Sequence, residues 1–237
     1  MLDERHLIHG LDALSRAHAS DYFLDGHKGG AIISAYYLCR ENAVEPGVAD
    51  IIAAMIDEHW SHTDLCAPFP AETPDGALLD RITATLEGNI APLRQASHNV
   101  IFPSLALKAF AQLPEAVTPS RVDGICRLIE KFDTAEDITL DESDEVPDLG
   151  PPERMAGFVL AETLQTIQRF LGRGQGWSGH MLTFARALID LSLMGYAELA
   201  SKGHHAFKLY VKRTRMGPLA SDKPRPCPPP CAPSSRT

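Results

Sequence analysis

Three histidines in this 237-residue chain occupy similar positions, because each follows a small residue and precedes an apolar run. The three pairs are Gly26-His27, Ser97-His98 and Gly179-His180. Neutral imidazole ligates transition metals and exchanges protons near neutral pH, so histidines that meet can form a metal site or an acid/base site. If the apolar runs are parallel helices, their N-termini meet, and we expect His27, His98 and His180 to act together as catalytic residues on a small-molecule substrate.

A second pair of histidines, His59 and His62, ends an amphipathic segment that comes after the first apolar run. In a helical hairpin this pair returns to the end where His27 lies, and the i, i+3 spacing places both on one helix face. We therefore expect His59, His62, His98 and His180 to be metal ligands, and iron, zinc or copper to be the metal. The alternative for each single histidine is a structural role, as a cap or as a hydrogen-bonded core residue.

The hydrophobic pattern predicts an all-α protein. Three segments, residues 31–38, 100–113 and 181–194, are apolar on nearly all faces, which is typical of buried helices. Other segments repeat apolar residues with helical spacing, and two of them follow the start signals Thr73-Pro74 and Thr118-Pro119. Alternating β-branched runs are absent. We predict a layered helical assembly, an α/α toroid or an irregular bundle, with the three apolar helices inside.

Polar residues within the apolar runs bear on this arrangement. Arg186 and Asp190 are four residues apart, so we expect them to form an ion pair along one helix, and Lys108 to have a similar structural role. Pro103 lies five residues after His98. If the helix starts only near Phe102, with the proline in its first turn, then His98 lies in the preceding loop.

An acidic segment interrupts the helical pattern. Residues 133–148 contain eight acidic residues and no basic one. We predict a solvated loop over residues 133–152 within a single all-α domain of residues 1–213. The alternative is a division into residues 1–132 and 153–213. The glycine and the closing glutamate of an EF-hand are missing, so the pattern does not favour a calcium site.

Composition indicates a soluble protein with a different C-terminal segment. Residues 214–237 are rich in proline, include Cys227 and Cys231, and are predicted to form a disordered tail. The formal net charge of −9 argues against nonspecific binding to nucleic acid or to anionic membranes. The N-terminus lacks a secretory pattern, and no apolar run is long enough to span a membrane. Cys39, Cys66 and Cys126 are scattered among apolar neighbours, and a reducing cytoplasm is the expected location.

Two functional hypotheses follow from these features. The first is a small-molecule enzyme with a histidine-lined pocket at the N-termini of the buried helices. The second is a helical interaction module with structural histidines, which contacts a protein partner through the acidic segment or the tail. A phosphate-binding loop and a Gly-x-Ser-x-Gly elbow are both absent. The histidine-led helix openings resemble those of questin-oxidase-like helical proteins over a small part of the chain, and no residue role is inferred from that resemblance.

Overall fold

The computed structural model describes residues 2–45, 47–173 and 176–219. Within them the chain forms nine α-helices, and the only β-type pairing in these ranges is an isolated bridge between Arg94 and Ala135. The fold is therefore all-α and layered, as predicted. The helices are α1 (Glu4–Ala17), α2 (Tyr22–Glu41), α3 (Val48–His59), α4 (Leu79–Glu87), α5 (His98–Gln112), α6 (Pro119–Lys131), α7 (Pro152–Arg169), α8 (Gly176–Leu193) and α9 (Ala197–Arg215). None of the helices in the described ranges combines the length and apolar character that crossing a bilayer requires.

One of the two helix-start signals gives the correct start of its helix, although the Thr118 side chain makes no capping hydrogen bond. Helix α6 begins at Pro119 directly after Thr118. Helix α4 begins at Leu79, five residues after Pro74, because the side chain of Asp75 caps a short 3₁₀ turn first. The backbone N–H of Asp75 also donates a hydrogen bond to the carbonyl of Val117, which holds this stretch outside the helix.

The buried layer differs in part from the prediction. Helix α5 is almost wholly buried, but α2 and α8 each keep an exposed face, and the amphipathic α1 is mostly buried against α2 and α6. Close packing allows this, since a Cβ on Gly29 would lie only 2.7 Å from the backbone nitrogen of Leu14. The one buried carboxylate of α1, Asp12, accepts a 2.7 Å hydrogen bond from Arg121.

Helices α2, α5 and α8 run parallel. Contacts between them near their C-termini and near their N-termini show this arrangement. Near their C-termini, Lys108 Nζ lies 2.7 Å from Glu41 Oε1 and 3.7 Å from Asp190 Oδ2. Arg186 donates to Asp190 at 2.8 Å, which confirms the predicted pair, and also to Glu41 at 3.1 Å. Near their N-termini, the same three helices meet at the histidines described below.

The acidic segment is more closely attached to the helices than a free solvated loop. Its apolar residues, Ile138, Leu140, Val146 and Leu149, pack against the core. Asp141 and Asp144 each lie 2.7 Å from Lys212 Nζ of α9, so the acidic pattern is partly neutralised by a cation that is distant in sequence. Helices on both sides of the segment contribute residues to one hydrophobic cluster.

Helix α9 extends two residues into the segment that the sequence predicts as a tail. Thr214 and Arg215 belong to α9, and Thr214 is fully buried. Its hydroxyl donates to the carbonyl of Val211, which helps to keep this last turn helical. Residues 220–237, with Cys227 and Cys231, lie outside the described residues.

Candidate metal centre

The side chains of His27, His98 and His180 converge at one point between three helices. His98 Nε2 lies 2.9 Å from His27 Nε2 and 2.8 Å from His180 Nε2. One ring nitrogen from each histidine falls within a set whose members are all less than 4.8 Å apart. His98 is the first residue of α5, whereas His27 and His180 lie in the second turns of α2 and α8.

The other ring nitrogen of each histidine contacts a backbone carbonyl. The acceptors for Nδ1 of His27, His98 and His180 are the carbonyl oxygens of Phe23, Gln95 and Gly176, at 2.6, 2.5 and 2.5 Å respectively. A carbonyl oxygen only accepts, so each Nδ1 carries the proton, and the Nε2 of each neutral ring has a free lone pair. Three lone pairs therefore face one another, and electrostatics favours a cation among them.

Burial favours the neutral form of His98 and of His180. The pKa of His98 is lowered to about 3, chiefly by burial; the hydrogen bond to the Gln95 carbonyl opposes this shift, and the neighbouring rings of His180 and His27 contribute to it. Burial also lowers the pKa of His180. Neutral imidazole is the form that ligates a metal.

Aromatic side chains surround the cluster. The ring centre of Phe23 lies 4.7 Å from that of His27 and 4.6 Å from that of His98, and Phe102 contacts the same two histidines. Phe132 stacks beneath His98, with ring centres 6.1 Å apart. These contacts restrict the rotamers of the histidines and exclude water from the inner side of the site.

Three residues with a left-handed backbone conformation directly precede His98 and position it in the site. Gln95, Ala96 and Ser97 have φ values of 42°, 55° and 69°, which for non-glycine residues costs on the order of 1–3 kcal/mol each. The carbonyl of Gln95 accepts the His98 hydrogen bond, and its side-chain amide donates to the hydroxyl of Tyr22 at 2.9 Å. Sequence reasoning missed this turn because it contains no glycine or asparagine to signal a left-handed backbone.

The helix that carries His98 starts earlier than the proline suggests. Helix α5 begins at His98, and Pro103 lies inside it, in the second turn. The possible start near Phe102 is therefore wrong. Pro103 has no N–H to donate to the carbonyl of Asn99, yet α5 continues past it to Gln112.

His59 and His62 do not join the cluster, contrary to the expectation of a shared site. Helix α3 ends at His59, so the two residues do not share a helical face. His59 is exposed and lines a separate groove of about 220 Å³ between α2 and α3, beside Trp60. His62 is exposed as well, and its nearest polar partner is the carbonyl of Asp57, 3.4 Å from Nδ1.

The glycines that precede His27 and His180 differ in the space that surrounds them. A Cβ on Gly26 would lie 2.5 Å from Cε2 of Phe102, whereas a Cβ on Gly179 would meet no atom within 4 Å. We therefore expect Gly26→Ala to displace Phe102, to lower the free energy of unfolding by about 1–3 kcal/mol and to disturb the cluster. Gly179→Ala is the matched control and is expected to stabilise the protein by up to about 1 kcal/mol. Urea unfolding of both variants measures the difference, and equal effects would contradict the packing argument.

The stability of the metal-free protein is expected to depend on pH through His98. Its folded-state pKa of about 3 lies below the ordinary value of 6.5, so the unfolded chain binds the proton first as the pH falls. The contribution of His98 to the free energy of unfolding is therefore fully present above pH 6.5 and is lost as the pH falls towards 3. Between pH 7.5 and 5.5 we expect a loss of roughly 1.4 kcal/mol, measured by urea unfolding in the presence of a chelator. If His98→Ala lost the same free energy of unfolding over this pH range, the loss would come from groups other than His98.

No protein-family description, curated protein or solved structure matches this chain at a significant level. The fold and the site therefore define a class by geometry alone, namely an all-α protein with three converging histidines.

Proposed function

We propose that this protein is a metal-dependent enzyme that acts on a small molecule, with His27, His98 and His180 as the ligands of a transition-metal ion. The observation that supports the proposal most is the convergence of three Nε2 lone pairs, each oriented by a backbone carbonyl on the opposite ring nitrogen. Outer hydrogen bonds of this type are the usual way in which proteins orient metal-bound imidazole.

The ligand set favours zinc over iron and copper. Imidazole suits all three metals, but the cluster contains no carboxylate in the described part of the chain, so it lacks the acidic ligand of the two-histidine iron sites. Nitrogens bound to tetrahedral zinc lie roughly 3.3 Å apart, which small ring rotations would reach from the present separations. Three neutral ligands leave the full charge on the ion, and a water in the fourth position then has a pKa of about 7. The chemistry that this supports is attack of activated water on an electrophilic carbon.

The three histidines also support metal-free acid/base chemistry. One proton shared between His98 and either neighbour would satisfy two facing lone pairs. The depressed pKa of His98 keeps its ring neutral at neutral pH, so it would accept a proton as a general base rather than donate one as a general acid. Metal content therefore decides between the two forms of the proposal.

Elemental analysis of the untagged, purified protein tests the metal site. We expect about one equivalent of zinc per chain, and loss of that zinc in the double variant His98→Ala/His180→Ala. The matched control is His59→Ala/His62→Ala, which removes two exposed histidines outside the cluster and should retain the metal. Far-UV circular dichroism verifies that each variant is folded. Metal-free parent protein after growth with added zinc, or equal zinc in both double variants, would refute the metal site.

The cellular setting is part of the same proposal. Cys39, Cys66 and Cys126 are free thiols, and burial raises the pKa of Cys66 to about 11, which makes it unreactive. Free thiols support a reducing, cytoplasmic location. The net charge supports a protein that binds neither nucleic acid nor anionic membranes.

A helical interaction module is the second candidate, and one surface favours it. Leu160, Leu164 and Ile167 follow one another at spacings of four and three residues along an exposed face of α7, and the exposed Leu171 lies just beyond the end of this helix. Apolar residues with this spacing form the contact seams of paired helices. We expect Leu164→Glu to abolish any self-association or partner binding through this face, as measured by sedimentation velocity. Identical sedimentation of parent and variant over a wide concentration range would remove self-association from this candidate.

A further inference from the structure

A groove runs along the surface between α2 and α8, with α5 as its floor. It has a volume of about 250 Å³. Ser34 comes from α2, and α5 contributes Ile101 and Leu105. From α8 come the side chains of Leu182 and Thr183. None of the three histidines lines the groove, which lies next to their cluster on the C-terminal side of it along the same three helices.

The groove begins one helical turn from the candidate metal centre. Ile101 follows His98 by three residues and Thr183 follows His180 by three residues, a rise of about 4.5 Å along each helix. At this end, His27 and His180 bridge α2 and α8, with ring centres 5.9 Å apart.

An ion network closes the other end. Arg186 of α8 donates to Glu41 of α2 across the gap, and Lys108 and Asp190 complete the network. It contains two acidic and two basic groups, so its charges are compensated internally. The groove therefore offers no unpaired charge that would attract an ionic ligand.

The lining determines which ligand chemistry fits. Its walls are mostly apolar, and the hydroxyl of Ser104 is already committed to the carbonyl of Ala187. Ser34 and Thr183 place hydroxyls along the exposed sides. A cavity of about 150 Å³ holds benzene, and pockets for drug-sized ligands start at about 300 Å³. A volume between these limits suits a neutral molecule of roughly 10–14 non-hydrogen atoms.

We propose that this groove binds the substrate, and that the substrate is a small neutral ester or amide whose apolar body lies in the groove with its carbonyl at the histidines. This inference rests on the proposed function and names its substrate class. The reaction is hydrolysis: the oxygen of water bonds to the carbonyl carbon, the bond from that carbon to oxygen or nitrogen breaks, and the leaving group takes a proton. Water supplies every added atom, and no oxidant or reductant is needed.

Methyl NMR on metal-free protein tests the groove separately from the chemistry. The probes are neutral aryl esters and amides of 10–14 non-hydrogen atoms, such as acetanilide and phenyl acetate, beside benzoate and phenyl phosphate of similar size. We expect the neutral probes to bind with a Kd of about 1 mM or tighter and to shift the methyl signals of Ile101, Leu105 and Leu182. The charged probes should bind at least about tenfold more weakly.

Two serine variants locate the binding site. Ser34→Phe fills the groove from its exposed side and is expected to abolish the shifts. Ser192→Phe places the same bulk on an exposed position of α8 outside the groove lining and should leave them unchanged.

The outcomes separate this inference from the proposed function. Binding in the groove that Ser34→Phe abolishes supports the inference, even if the zinc-loaded protein hydrolyses nothing. Absence of binding by every neutral probe up to 5-fold above the expected ~1 mM Kd overturns it, even if zinc is bound. Preferential binding of the charged probes, or equal binding by the two serine variants, overturns it as well.

Discussion

Gly124→Ala is expected to lower the free energy of unfolding by about 3 kcal/mol or more. A Cβ at this position of α6 would lie 2.0 Å from the carbonyl oxygen of Ser15 and 2.8 Å from its carbonyl carbon. Both obstructing atoms belong to the backbone of α1, so no side-chain rotation relieves the clash. The two helices would have to separate, and the buried contact between Asp12 and Arg121 would be disturbed with them.

Gly157→Ala is the matched control for this substitution. Gly157 lies in the middle of α7, and a Cβ there would meet no atom within 4 Å. Alanine is a better helix former than glycine, so we expect a gain of about 1 kcal/mol. Urea unfolding followed by circular dichroism compares the two variants. A loss below about 1 kcal/mol for Gly124→Ala would show that α1 and α6 do not pack as closely as described.

Zinc is expected to stabilise the protein by about 2.7 kcal/mol when free zinc is a hundredfold above its Kd. The proposed ion would bind only the folded chain, because only folding brings the nitrogens of His27, His98 and His180 together. For a chain of this length the stabilisation corresponds to a rise in Tm of roughly 5–10 °C. His27→Ala should abolish the rise, because two remaining ligands bind zinc far more weakly than three.

The control for the zinc effect is the exposed pair outside the cluster. His59→Ala/His62→Ala should show the full rise in Tm, measured by thermal unfolding with and without zinc. If that variant lost the rise and His27→Ala kept it, the metal would be held at the surface of α3 and the proposed ligand set would be wrong.

Local patterns determined much of this protein from sequence alone. The all-α class, the start of α6 at Pro119 and the pairing of Arg186 with Asp190 depend on residues within one or two helical turns of each other. The same holds for the placement of His98 beside an apolar run. Helix formation, capping and i, i+4 pairing are short-range effects, so the sequence is sufficient to predict them.

Only the tertiary structure decided which histidines meet. His27, His98 and His180 converge because three parallel helices pack together, whereas His59 is the last residue of α3 and His62 lies beyond it. The burial of α1 depends on glycines in α2 and α6 that matter only once a partner helix approaches. The left-handed turn before His98 is a strained conformation that its residue types do not favour, and the surrounding packing maintains it. Such features follow from contacts between residues distant in the chain, which no local pattern records.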